Sequence, residues 1–292
     1  MSKKVLVTGA TGDTGRAAVR ESLALGLDVR AMVRRIDARS EALEALGAEV
    51  VVGDLLEINT IRDAMKDIDA AYFVWPVQPG LINATVNFAQ AAKESGVNTV
   101  INLSQRSANR ESTSDSCRDT YIAEEVLNWS GLDVIHLRPT YFLEWLLYPW
   151  QLPFLQQGIL RMPVGRGRHS PIAAEDQGRA IAALLEKPEA HIGTTIALSG
   201  PVEMDHEQMA AELSEALGRK IVFQDLPIEE YCESIEAMGV PPYIVQHLRG
   251  AMADYHQGRM AGSDDNVEKL TGRRSMTVVE FARLHADKLT GA

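Results

Sequence analysis

Between residues 4 and 137, short and almost wholly apolar runs alternate with longer stretches where apolar residues recur every three or four positions. The runs at 4–7, 29–33, 50–52, 70–74, 100–103 and 134–137 read as strands. The patterns at 14–25, 40–46, 58–66, 81–95 and 118–129 read as helices. Strands apolar on both faces belong in a parallel sheet covered by helices above and below. The pattern predicts an α/β chain built on a doubly wound parallel sheet.

Beyond Arg138-Pro139 the rhythm breaks. Residues 141–154 hold six aromatics and two prolines, and Pro149 and Pro153 should interrupt any helix there. A Gly/Arg-rich stretch, "PVGRGRHSP", follows. Helices at 175–185 and 206–217 and strands at 195–198 and 220–224 then precede several more helices. We expect residues 1–140 to form the core. Residues 141–292 should form a smaller mixed α/β substrate lobe, interleaved with that core rather than independent of it.

Three glycines sharpen the picture. In "VTGATGDTGR", Gly9, Gly12 and Gly15 stand directly behind the apolar run Val5-Leu6-Val7 and ahead of a helix. A tight strand-to-helix turn favours a residue free to take positive φ, and first-turn amides lack intrahelical partners. A pyrophosphate can settle on those amides, while the third glycine lets the helix pack on the strand. This is the setting of a dinucleotide-binding Rossmann unit, here spaced G-x-x-G-x-x-G.

The second strand ends in Val33-Arg34-Arg35, without the carboxylate that accepts ribose hydroxyls in an NAD site. Two guanidiniums suit a 2′-phosphate, so NADP(H) is expected ahead of NAD(H). Asp54, after the third strand, stands within reach of the adenine.

Composition narrows the class. The 292 residues carry a formal charge of −11, which argues against a nucleic-acid partner held by a broad basic surface. No stretch approaches the ~20 apolar residues of a membrane span. Strand-like sequence begins at Lys4 and is expected to leave no room for a signal peptide. Cys117 and Cys232 are too few for a disulfide framework. The seven histidines show no ligand spacing, so no metal is expected. A cytoplasmic enzyme or sensor, monomeric or homodimeric, fits this balance.

The stretches "VTGATGDTG", "VRAMVRR", "VVGDL", "SGLDVIHLRPTYFLEWLL", "AAEDQGRAIAALL" and "VEKLTGRRSMTVVEFARLHADKL" resemble the NmrA-like group of atypical short-chain dehydrogenase/reductases, in order and over nearly the whole chain. That group holds NADPH-dependent quinone reductases, azo-dye and triphenylmethane reductases, and non-catalytic nucleotide-sensing regulators. The resemblance implies that Gly9, Thr11, Gly12, Asp13, Thr14 and Gly15 line the pyrophosphate. It sets Arg34 and Arg35 at the 2′-phosphate, Asp54 and Leu55 beside the adenine, and Val74, Trp75 and Pro76 under the ribose. Ser104, Pro139, Thr140, Tyr141 and Phe142 would lie near the nicotinamide.

Most short-chain reductases carry a Tyr-x-x-x-Lys pair on the helix after the fifth strand, the lysine lowering the tyrosine pKa. Here Tyr121 is followed four residues later by Glu125. Fixing the register on Glu124 instead places Ser116 and Thr120 at the pair's positions, so neither register restores it. Tyr121, Ser104 and Thr140 remain candidate donors to substrate. Loss of the pair weakens alcohol or ketone chemistry more than quinone chemistry, where the product anion is delocalised.

The expected activity is hydride transfer from NADPH to a quinone, azo or similar conjugated aromatic acceptor, stacked on "TYFLEWLLYPWQLPF". One alternative is an NADP(H)-sensing regulator without turnover. The other is a reductase or isomerase of a natural-product intermediate. Arg161, Arg166, Arg168 and His169 read as a solvated loop or an anion-attracting rim. The polar stretch 104–117 reads as a mobile loop.

Overall fold

The computed structural model describes residues 2–291. The first half contains six strands: β1 (Lys4–Val7), β2 (Asp28–Val33), β3 (Glu49–Val52), β4 (Ala70–Phe73), β5 (Thr99–Leu103) and β6 (Asp133–Pro139). Helices α1 (Asp13–Ala24), α2 (Ala38–Ala45), α3 (Ile58–Ala64), α4 (Leu81–Ser95) and α5 (Asp115–Trp129) connect them. Together with β8 (Thr195–Leu198) the strands form one sheet in the order β3-β2-β1-β4-β5-β6-β8. All its pairs are parallel.

Alternation along a strand decides which layer each side chain joins. Val5 and Val7 of β1 pack into one core, with Val19 of α1 and with Ile181 and Leu184 of α7 (Ala174–Glu186). Leu6 points to the opposite face and meets Ile61 of α3, Phe88 of α4 and Leu127 of α5. Each such burial contributes roughly 1.5–3 kcal/mol, which is why a strand this short holds the centre of the sheet.

The helix α1 must lie close to the sheet for its tip to face the turn, and small residues permit it. A Cβ on Gly15 would stand 2.2 Å from the Gly9 carbonyl oxygen. One on Gly178 of α7 would stand 2.4 Å from the Ala17 Cβ. Thr8 fastens β1 to β4, its Oγ1 donating to the Tyr72 carbonyl at 3.0 Å and accepting from the Val74 amide at 3.1 Å.

The second half builds a third core from Tyr141, Leu143, Leu155, Met209, Tyr231, Leu248 and Phe281. Its elements are α6 (Leu152–Gln156), β7 (Ile159–Arg161), α8 (His206–Leu217), β9 (Val222–Gln224), α9 (Ile228–Ala237) and α10 (Pro242–His256), followed by three short helices. β7 and β9 pair in parallel as a separate two-stranded sheet. An isoleucine, a leucine and an arginine leave no mark that separates so short a strand from a turn, so β7 escapes the pattern reading. β9 begins two residues later than expected.

The aromatic stretch bends as its prolines require: a 3₁₀ turn over Leu143–Leu147, then α6, with Pro153 in its first turn. The expected mobile loop is instead tucked in. Ser107, Ser112 and Ser114 are buried, Arg118 donates to the Ser112 carbonyl at 2.7 Å, and α5 already begins at Asp115. Among the described residues no helix is long and apolar enough to cross a membrane.

Candidate active site

A cleft of about 990 Å³ runs over the carboxyl ends of β1, β2, β4 and β5 and under α10. It lies at the point where strand order reverses beside β1, the place where open parallel sheets bind ligands. Its volume is at the upper end for small-molecule sites.

At one end Gly9 takes φ +57° and Gly12 caps α1 without a side-chain hydrogen bond. The first-turn amides are therefore free of any protein cap and fit a diphosphate. Thr11, Gly12, Asp13 and Thr14 line this end, and Thr14 Oγ1 is held 3.0 Å from the Tyr72 hydroxyl. Gly15 does not line it: the close approach to Gly9 puts Gly15 behind the turn, where it serves packing alone.

At the next corner stand Arg34 and Arg35, more than two-thirds exposed, with Arg39 beside them. Arg39 makes the tightest pairing, donating to Asp37 at 2.6 Å and holding that carboxyl down at about 2. Arg34 sits 3.6 Å from Asp54 and Arg35 3.5 Å from Asp37, distances loose enough to leave both guanidiniums available to a phosphate. Asp54 accepts from the Leu56 amide at 2.9 Å, which fixes the turn carrying Leu55. Val74, Trp75 and Pro76 line the floor, and the Trp75 indole donates to the Gln78 carbonyl at 3.0 Å.

The far end combines polar groups from β5 and α5 with an aromatic wall. Ser104 lines it with a buried Oγ that has no hydrogen-bond partner among the described residues. Ser116, Thr120 and Ala123 turn one face of α5 to the cleft at helical spacing. Gln105 Nε2 donates to Thr120 Oγ1 at 2.7 Å, and Glu124 receives both arms of Arg138. Ser116 and Thr120, the residues picked out by the register fixed on Glu124, thus face the cleft. Phe142, Trp145, Tyr148, Trp150 and Tyr243 form the wall.

Four expected residues fall elsewhere. Tyr121 follows Thr120 by one position, about 100° around the helix, and lies beside Arg138 instead of in the cleft. Pro139, Thr140 and Tyr141 border a neighbouring cavity of about 60 Å³. Thr140 Oγ1 is committed to the Ser170 carbonyl. Tyr141 packs among Trp145, His169 and His206 in the third core, whereas Phe142 also lines the cleft. Arg161 and Arg168 are likewise turned away, bonded to Ser234 and to the Glu203 carbonyl.

Sequence reasoning missed Arg39, Gln105 and the α10 residues Tyr243, Ile244, His247 and Leu248, all of which line the cleft. Arg39 had a local signal, being the third arginine of "RRIDAR". The α10 residues lie more than 90 positions from every other residue that lines the cleft and had none.

An all-parallel sheet, a glycine turn at its switch point and a guanidinium corner define a Rossmann-type dinucleotide-binding protein. Residues 1–281 match the NmrA-like family, and the chain belongs to it. It is 29% identical over 282 residues to an NAD(P)H azoreductase of Xenophilus azovorans, covering 97% of this chain and 98% of that one. The NADPH-dependent quinone oxidoreductase of Escherichia coli, solved with NADPH, superposes with a TM-score of 0.83 at 24% identity, covering 95% of this chain and 98% of that one. NmrA, a negative transcriptional regulator solved with NADP, superposes at 0.81 with 20% identity, covering 97% and 94%.

Proposed function

We propose that this protein is an NADPH-dependent reductase that passes hydride to a quinone, azo or similar conjugated aromatic acceptor. The observation that carries the reading is the continuity of one cleft. Its free-amide turn and paired guanidiniums lead to an aromatic-walled end flanked by Ser104, Ser116 and Thr120. The names of the azoreductase and quinone oxidoreductase relatives support the same chemistry.

When bound, the reduced nicotinamide supplies the hydride. Gly9, Thr11, Gly12, Asp13 and Thr14 would hold the diphosphate, Arg34 and Arg35 the 2′-phosphate, and Asp54 with Leu55 the adenine side. Val74, Trp75 and Pro76 would support the ribose, while Ser104 and Phe142 border the reacting end. The wall orients a flat acceptor by stacking, and positioning of this kind contributes several kcal/mol to a two-reactant step.

The test is NADPH oxidation, followed by absorbance, with and without a panel of quinones and azo dyes. Acceptor-stimulated oxidation that disappears in Gly12→Val supports the reading; NADPH oxidation indifferent to every acceptor overturns it. The absence of a Tyr-Lys pair favours a second reading, a nucleotide sensor. Tight NADPH binding without turnover, and a protein partner whose binding follows the NADPH/NADP ratio, would establish that one.

A further inference from the structure

His247 is buried on α10 and lines the same cleft as Ser116 and Thr120. Its Nδ1 lies 3.0 Å from Ser114 Oγ. That hydroxyl caps α5 and already accepts from the Cys117 amide at 3.2 Å. Its single hydrogen has one nitrogen or oxygen acceptor among the described residues, the imidazole Nδ1. A proton on Nδ1 would leave the serine hydrogen only the weak Cys117 sulfur as acceptor in a buried site, a poorer arrangement than a bond to the ring nitrogen. The arrangement that strands nothing has Ser114 donating to Nδ1 and the ring's own hydrogen on Nε2. Nε2 makes no hydrogen bond with any described residue, and the ring borders both the cleft and the 60 Å³ cavity beside it, so its N–H is free to meet a ligand at that junction.

The ring is neutral and held in place. Burial pushes its pKa down to about 4, so it carries no charge near neutral pH. A Cβ on Gly250 would stand 2.6 Å from the Ser114 Cβ, which shows how closely α10 sits on the start of α5. Gln246 locks the same junction, accepting from the Asp115 amide at 3.0 Å and donating to the Thr113 carbonyl at 2.7 Å.

We propose that His247 is a catalytic hydrogen-bond donor, its Nε2–H polarising the acceptor's oxygen or nitrogen and stabilising the anion that forms as hydride arrives. The proposal rests on the reductase reading and supplies what the missing Tyr-Lys pair would have done. For a quinone, one hydride with its electron pair leaves NADPH, giving NADP⁺ and the hydroquinone mono-anion. Water later provides the proton that completes the hydroquinone. His247 keeps its proton throughout and lends only the hydrogen bond, a role open to a neutral imidazole.

Two variants separate this from a packing role. His247→Leu keeps apolar bulk and removes the donor, whereas His247→Gln retains an N–H. With NADPH and a benzoquinone, kcat/KM is expected to fall about a hundredfold in His247→Leu and to stay within about tenfold in His247→Gln. NADPH Kd should remain within about twofold in both, since the ring meets the acceptor and not the dinucleotide. A cationic triphenylmethane dye takes up hydride without developing negative charge, so its kcat/KM in His247→Leu should change by less than about threefold.

A readout independent of turnover is the pKa of 4-nitrophenol bound to the NADP⁺ complex, followed by absorbance. The donor favours the phenolate, so the bound pKa should lie about one unit lower in wild type than in His247→Leu. His247→Leu retaining more than about a third of the quinone activity, losing quinone and dye activity alike, or leaving the phenol pKa unmoved overturns the role. Should His247→Leu not fold, Ser114→Ala replaces it, with an expected quinone-selective loss of about tenfold. Wild-type protein that turns over no acceptor overturns the reductase reading instead, and the phenol titration still decides the donor.

Discussion

The Tyr148 hydroxyl donates to Asp13 Oδ2 at 3.1 Å, tying the aromatic stretch directly to the first turn of α1. Asp13 sits beside the amides that would meet the diphosphate, where an unpartnered carboxylate would repel it. A hydrogen bond to a charged acceptor is worth about 1.5–3 kcal/mol, part of which is recovered by water when the donor is lost.

Tyr148→Phe should therefore weaken NADPH binding by about three- to tenfold, measured by calorimetry. An unchanged Kd would mean that the bond has no part in shaping the glycine end of the cleft.

Cofactor choice should reside in the exposed guanidiniums. Removing both Arg34 and Arg35 by alanine substitution should raise the NADPH Kd about ten- to a hundredfold, the value of a charge-assisted phosphate contact. NADH binding should move by less than about threefold, because it presents no 2′-phosphate. The NADPH preference of the wild type should also shrink as salt is added, since both side chains face solvent. Equal loss for the two dinucleotides would place the 2′-phosphate elsewhere.

Gly178 and Ala17 set how closely α7 approaches α1. Gly178→Ala would force a methyl to within 2.4 Å of the Ala17 Cβ and 2.6 Å of its carbonyl carbon, and backbone cannot yield as a flexible side chain would. Overpacking of this kind costs about 1–3 kcal/mol, visible as a lower urea midpoint with unchanged slope. Wild-type stability in this variant would show that the two helices can separate freely.

Glu144 carries a pH signature. Burial, reinforced by the Asp13 and Asp176 carboxylates, raises its pKa from 4.5 to about 7 against the opposing Ala174 amide. One of its oxygens has no hydrogen-bond partner among the described residues. Between those two values the native state holds a proton that the unfolded chain has released, so this residue's contribution to stability declines as pH rises through the window. Glu144→Gln removes the charge and should be more stable than wild type at pH 8 by about 1–3 kcal/mol. Near pH 4 the two proteins should be close to equal. Chemical denaturation at both pH values reads the difference, and a difference independent of pH would show that folding leaves the Glu144 pKa unshifted.

The sheet and its glycine turn were legible along the chain because each is a local matter. Apolar alternation assigns Val5 and Leu6 to opposite layers, and steric demand alone explains Gly9 and Gly15. The guanidinium corner was equally readable, since Arg34 and Arg35 end a strand whose length the same pattern sets.

The aromatic-walled end of the cleft was not readable in that way. Tyr121 and Thr120 are adjacent in sequence, and only the rotation of α5 against β6 decides which of them faces the cleft. Tyr141 and Phe142 divide between the third core and the cleft because the strand exit alternates, a choice that depends on what packs on each side. His247 comes to Ser114 across 133 residues through the packing of Gly250. The sequence by itself determined the parallel sheet and the glycine turn, because neighbouring residues and their periodicity suffice for both. The tertiary structure alone decided which polar groups line the aromatic end of the cleft, because that outcome depends on how separate elements close over one another.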